Sequence, residues 1–164
     1  RSEILNNKNL DANIDFKVKD ITNIDELNNL FLKIAIEQGD IKFSNSNIMW
    51  KEDIKIFLED TLLNFENNEI NLNGKVLINF IEYDNFYKSF QVKKNNRKKI
   101  EKINLDFNYN INKQKVTLSN VQIDNVSDIK LESFIENENE NENKIFNKIR
   151  FKNFVNEFFS AYAG

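Results

Sequence analysis

The stretch Glu69-Ile-Asn-Leu-Asn-Gly-Lys-Val-Leu-Ile-Asn-Phe80 decides the fold. Ile70, Leu72, Gly74, Val76, Ile78 and Phe80 occupy every second position. A strand sends alternate side chains to opposite faces, so this period predicts a long strand with one apolar face. Gly74 interrupts that face, which predicts a bulge or a close backbone approach there.

The same rhythm spreads outward in both directions. Towards the N-terminus, Ile54, Ile56 and Leu58 predict one strand, and Ile41, Phe43, Ile48 and Trp50 another. Leu30 to Ile36 and Ile14 to Val18 predict two more. Gln38-Gly39-Asp40 reads as a turn. Towards the C-terminus, Ile103, Leu105, Phe107, Tyr109 and Ile111 alternate with polar residues. A hairpin turn is expected at 112–114, then Val116, Leu118, Val121 and Ile123. The phase slips by one residue near Asn120, which predicts a bulge.

Two regions depart from period 2. Residues 84–99 predict a short helical insertion, capped by Asp84 and carrying Phe86, Tyr87 and Phe90 on one face. After about residue 125 the spacing of Val126, Ile129, Phe134 and Ile135 is helical. So is that of Ile145, Ile149, Phe151, Phe154, Val155, Phe158, Phe159 and Tyr162. Between these two groups, residues 136–143 alternate Glu and Asn, which reads as a solvated acidic linker.

The connections are too short for parallel crossovers. The expected fold is α+β and mainly β. It is a curled antiparallel meander of about seven strands, with an inserted short basic helix and C-terminal helices. Residues 1–124 form the sheet domain and 125–164 the helical segment. The helices are few for so wide an apolar face. Either the face is core beneath them, or part of it is a groove for acyl chains. The groove candidates are Ile54, Ile56, Leu58, Ile70, Leu72, Val76, Ile78, Phe80, Ile103, Leu105 and Phe107. Seven strands span roughly 30 Å, and each buried CH₂ contributes ~0.8 kcal/mol.

Composition narrows the chemistry. The chain has 164 residues with no His, no Cys, no Pro and three Gly. The usual neutral-pH base and the thiol nucleophile are therefore missing, and no phosphate-cradling glycine loop is possible. Asp53, Glu59 and Asp60 sit among Lys at surface spacing. No catalytic, cofactor or metal residue is expected. Net charge is −3, which gives no general attraction to nucleic acid. The abundance of Asn, Ile, Lys and Phe reads as the codon bias of an AT-rich genome. No stretch has the ~18 apolar residues of a membrane span. The start at Arg1 suggests a fragment or processed product.

Lys93, Lys94, Arg97, Lys98, Lys99 and Lys102 form the strongest charge cluster, close to the aromatic face of the inserted helix. It reads either as a solvated helix and turn or as a contact for anionic headgroups or a partner. Each charge near an anionic surface contributes ~1 kcal/mol.

A resemblance sharpens these options. It is carried by Gly74-Lys-Val-Leu-Ile-Asn-Phe80, Asp84-Asn-Phe-Tyr-Lys-Ser-Phe-Gln91, Asn96-Arg-Lys-Lys-Ile100 and Ile103-Asn-Leu-Asp-Phe-Asn-Tyr-Asn110. Together these resemble the C-terminal region of AsmA-like proteins of AT-rich alphaproteobacteria. Gln38-Gly-Asp-Ile-Lys-Phe-Ser-Asn-Ser-Asn-Ile-Met-Trp-Lys51 is similar to the β-repeat of that family. The resemblance implies a periplasmic part of a protein anchored in the inner membrane. It also implies a curled sheet with an apolar groove, and a role in outer-membrane biogenesis or phospholipid transport. Phospholipid is then the expected ligand, with an envelope protein as a possible partner. The alternative is an interaction or scaffold module that docks through its C-terminal aromatic helix.

Overall fold

A computed structural model describes residues 7, 9–22, 26–66, 68–140 and 148–164. Its strands are β1 (Ala12–Asp20), β2 (Leu27–Glu37), β3 (Asp40–Phe43), β4 (Ser46–Trp50), β5 (Ile54–Glu66) and β6 (Glu69–Phe80). After helix α1 (Tyr83–Ser89) come β7 (Lys102–Asn110), β8 (Lys115–Ile123) and β9 (Val126–Ser127). Helices α2 (Ile129–Glu140) and α3 (Lys148–Ala163) follow. All nine strands belong to one antiparallel sheet, paired in chain order. The mainly-β meander of the sequence reading is the fold of the protein.

The count of nine against about seven has two sources. β3 and β4 lie end to end between β2 and β5, so they are one strand interrupted at Ser44–Asn45. Asn45 there has φ of 52°. The interruption would orphan a backbone group on β2. The buried Ser46 hydroxyl removes that cost by accepting from Lys33 N–H at 3.0 Å. The second source is β9, a two-residue strand where helix was expected.

Glycine is scarce, so other residues supply the left-handed backbone. Among the described residues, eleven non-glycine residues have positive φ, and seven of them are Asn or Asp. These two side chains tolerate that region best. Asp124 and Asn125 form the two-residue turn between β8 and β9, with φ of 50° and 67°. Gln38 and Gly39 do the same between β2 and β3, the turn expected there. Asn120 has φ of 51° where the β7–β8 register slips, so the expected bulge is present.

β5 runs to Glu66, well past Leu58, where the sequence pattern breaks. Its register against β6 shifts between Glu59 and Leu62, and Asp60 has φ of 46°. The bulge puts two residues opposite one and changes the phase. Leu63 pairs with Leu72 and Phe65 with Ile70, so both rejoin the apolar face.

Helix α1 is shorter than the expected 84–99 insertion. Its N-cap is Glu82, not Asp84, and the Glu82 carboxylate accepts from Asp84 N–H at 3.0 Å. Its end is a Schellman motif. Val92 N–H reaches Tyr87 O at 2.9 Å and Gln91 N–H reaches Lys88 O at 3.1 Å, with Gln91 at φ 55°. Tyr87 and Val92 are both buried, the apolar contact that accompanies the motif. The basic cluster therefore follows the helix instead of riding on it. Only a 3-10 turn at Lys94–Asn96 intervenes before β7.

Asp128 caps the start of α2: its carboxylate accepts from Lys130 and Leu131 N–H at 2.8 and 3.3 Å. It continues through Glu140, so the acidic run is helical as far as that residue and not a linker. Residues 141–143 of that run, and Ile145, lie outside the described residues. The core forms where α1, α2 and α3 meet the sheet. Tyr87, Val92, Ile100, Ile103, Val121, Ile123, Leu131, Ile135, Val155, Phe158 and Phe159 are its buried members.

Candidate functional site

Register places one apolar face across the whole sheet. Rows of paired residues cross it from strand to strand. Ile48, Ile56, Ile78, Ile103 and Ile123 make one row. Ile41, Leu63, Leu72, Tyr109 and Val116 make another. Ile34 joins Ile14 to Phe43, and Phe16 pairs with Leu32.

The helices cover one end of this face. Ile78, Phe80, Ile103, Leu105, Leu118, Val121 and Ile123 belong to the helix-capped core or pack against it. Trp50 seals the corner, with its ring 5.7 Å from Phe86 and 5.9 Å from Phe90. Ile54 beside it is 1% exposed. Of the eleven groove candidates, Ile54, Ile78, Phe80, Ile103 and Leu105 therefore serve the core. The physical reason is the aromatic layer of α1 and α3, where Phe159 lies 4.9 Å from Tyr87.

The other six candidates lie outside the helix-capped cluster. Ile56, Leu58, Ile70, Leu72, Val76 and Phe107 are half-buried, and none packs against that cluster. The lane they form continues onto strands the candidate set did not include. Ile14 is 45% exposed, Phe16 50% and Phe65 37%. Leu63 and Phe65 escaped the sequence reading because the Asp60 bulge hides their phase. Ile14, Phe16 and Ile34 carried the right alternation and needed only the register to place them.

At the centre of the face, β5 and β6 come unusually close. A Cβ placed on Gly74 would lie 2.3 Å from Thr61 Oγ1 and 2.7 Å from Thr61 Cα. Thr61 is 2% exposed. Gly74 thus marks a close approach, and the bulge itself is in the facing strand.

The polar face carries Lys and Asn, with a few apolar residues shielded by cations. Lys17 lies 5.4 Å above the Phe31 ring and Lys55 4.9 Å above Phe57. A hollow of about 340 Å³ is lined by Glu59, Lys75, Asn104, Asp106, Asn120 and Gln122. Asn120 donates to Asp106 there at 2.6 Å, and Lys75 reaches Asp60 at 3.5 Å. Asp53 accepts from the Asn85 amide at 3.2 Å.

The basic cluster belongs to the helical cap. Arg97 Nε donates to Val92 O at 2.8 Å. Lys98 Nζ donates to Tyr162 O at 3.0 Å and lies 4.8 Å above that ring. Arg97 and Lys98 thus brace the fold, while Lys93, Lys94 and Lys99 are exposed. Lys102 starts β7, at the opposite end of that strand from Tyr109. Burial raises the Tyr87 phenol well above its usual pKa, and the phenol donates to Lys98 O at 2.7 Å. Burial also raises Tyr162, with Asp124 and Asp128 adding to the effect.

The terminal helix spends its aromatic face on this chain. Val155, Phe158 and Phe159 are buried, and Phe154 stacks 5.5 Å from Phe134 of α2. Phe151 is 44% exposed but still packs 5.6 Å from Phe90. Among the described residues, no helix is long and apolar enough to cross a membrane. Comparison with protein-family models, curated proteins and solved structures finds no match.

Proposed function

We propose that this chain is a non-catalytic lipid-binding module, the terminal periplasmic part of an AsmA-type protein in outer-membrane biogenesis or phospholipid transport. The observation that carries the lipid reading is the mismatch between apolar face and helical cover. The helices pack over β6 to β8 near Ile78, Ile103 and Ile123, while the lane from Phe16 through Ile34, Leu63 and Leu72 to Phe107 extends beyond them.

From β1 to β7 that lane crosses six strand positions, roughly 24 Å at ~4.8 Å per strand. An acyl chain laid across the strands meets apolar side chains along its length. Each CH₂ it buries contributes ~0.8 kcal/mol. The ligand is recognised by apolar area, so the site needs no convergent polar groups. Exposed Lys93, Lys94 and Lys99 sit apart from the lane, on the cap, and suit a headgroup surface that the whole module approaches. The envelope setting rests on the AsmA resemblance of the strand and insertion segments. The absence of His and Cys supports the non-catalytic part.

Docking through the terminal aromatic helix has less behind it, since α3 buries that face against α1 and α2. The test is equilibrium binding of a fluorescent phospholipid to the wild type, Leu72→Asp and, on the opposite face, the exposed Asn108→Asp. The proposal expects Leu72→Asp to weaken binding tenfold or more and Asn108→Asp to leave it within twofold. Equal binding by all three folded proteins contradicts it.

A further inference from the structure

Three separate parts of the chain bring lysines to one aromatic corner. The Phe90 ring, at the end of α1, lies 5.9 Å from Trp50 of β4 and 5.6 Å from Phe151 near the start of α3. The Asn156 amide donates to Phe90 O at 2.6 Å and to Lys152 O at 3.0 Å, which holds α3 at that corner. Lys51 follows Trp50, and its ammonium donates to Ser89 Oγ at 3.3 Å. α1 carries Asp84 in its first turn and Lys88 in its last, so its basic end is the Phe90 end. Lys93 and Lys94 come directly after the Schellman turn. Lys51, Lys88, Lys93, Lys94 and Lys152 therefore converge on Phe90 and Phe151.

The exposed lysines of this group are not spent on internal ion pairs. Residues 88–102 hold six Lys, one Arg and one Glu. Arg97 and Lys98 turn inward, to Val92 O and Tyr162 O. Lys88, Lys93 and Lys94 are exposed, and no carboxylate among the described residues pairs with them. Asp124 and Asp128 lie at the other end of α3, where they act on Tyr162. Cations gathered without counter-charges repel one another, and an external anionic surface relieves that repulsion. Phe151 stands among them 44% exposed. A free anion has no use for that ring, and a nucleic acid needs a basic surface of greater extent. Anionic headgroups lying over an apolar layer match both parts, lysines at the phosphates and a ring below them.

We infer that this corner docks on the surface of an anionic bilayer, with Lys51, Lys88, Lys93, Lys94 and Lys152 at the phosphates and the Phe151 ring beneath them. The contact deepens the headgroup reading of the cap and rests on that reading for the class of partner. The Phe90 end of the cap meets the membrane, and the Tyr162 end does not. Docking there needs no lipid in the lane.

Flotation with vesicles of phosphatidylcholine, with and without 30% phosphatidylglycerol (an arbitrary composition, about one charge in three lipids), tests the contact. The chain has a net charge of −3, so retention on anionic vesicles reports a local surface and not general attraction. The wild type is expected to bind the anionic vesicles at least tenfold more tightly than the neutral ones, and less tightly as salt rises. Each lysine near the surface is worth about fivefold in partitioning. Lys93→Gln with Lys94→Gln should therefore weaken binding tenfold or more. Lys33→Gln with Lys115→Gln removes the same charge from exposed positions on β2 and β8 and should leave binding within twofold. Phe151→Ser should weaken it about fivefold, the share of a half-exposed ring. Leu72→Asp, which tests the lane, should float like the wild type. Circular dichroism checks that each variant is folded. Failure of the wild type to float with anionic vesicles overturns the docking contact, while undiminished binding of the fluorescent phospholipid would leave the lane standing. Equal loss in the two lysine pairs overturns it too, as does binding to a single-stranded oligonucleotide without binding to the vesicles.

Discussion

Thr61 of β5 stands against Gly74 of β6 so closely that a single added carbon on Gly74 would lie 2.3 Å from its hydroxyl oxygen. This contact ties a bulge on one strand to a glycine on the next. The bulge at Asp60 pushes Thr61 inward, and only a residue without a side chain accepts it.

Gly74→Ala is therefore expected to destabilise the fold by about 3 kcal/mol, the upper end of overpacking costs. Removing the hydroxyl should not rescue it, since Thr61 Cα itself lies 2.7 Å from the new carbon. Urea denaturation of Gly74→Ala, alone and with Thr61→Ala, checks this. Full recovery in the double variant would show that the strands can move apart.

Asn139 closes the β8 edge with both ends of its amide. Asn139→Ala leaves the N–H and C=O of Leu118 without those partners. The expected cost is about 1–3 kcal/mol. Hydrogen exchange at the Leu118 amide should accelerate before that of the β7–β8 hairpin as a whole. Unchanged exchange at Leu118 would mean that Asn139 adds nothing to the edge.

Tyr87 gives the fold an alkaline limit. Burial favours its neutral phenol, so its pKa is raised in the folded state. A raised pKa adds stability that is present below the unfolded value of ~10 and lost as pH climbs through the folded value. Tyr87→Phe should cost about 1 kcal/mol at neutral pH, from the lost bond to Lys98 O. Its stability should also fall less steeply above pH ~10 than that of the wild type. Tyr162, raised in the same direction, keeps the variant's stability falling with pH in that range. Unfolding curves at a series of alkaline pH values make the comparison.

Much of this architecture is legible in the alternation of apolar residues, because a strand exposes its period wherever one face is covered and the other is wet. Ile103 to Tyr109 show it without interruption, Ile70 to Phe80 with Gly74 as the one break, and both are strands. The bulge at Asn120 is legible too, since it leaves intact pattern on either side. The Asp60 bulge is not. It follows Glu59, at the point where the apolar pattern stops, and Thr61 then takes an inward place that a polar residue does not advertise. Leu63 and Phe65 disappear from the reading with it. The end of α1 was hidden for a different reason. Gln91 takes the left-handed position usually held by glycine, so nothing in composition marks the stop. The candidate lipid site was readable as an apolar stripe. Which half of it is covered depends on where α1 and α3 pack, and local pattern does not encode that.

The central claim is that acyl chains lie on the uncovered lane. Paramagnetic broadening by a phospholipid spin-labelled in its acyl chain tests it most directly. The account predicts the steepest loss of side-chain signal at Ile56, Leu63, Ile70, Leu72 and Phe107, falling off with distance from the lane towards the helical cap at Leu131 and Val155. Broadening confined to Lys93, Lys94 and Lys99, or spread evenly over both faces, would contradict it.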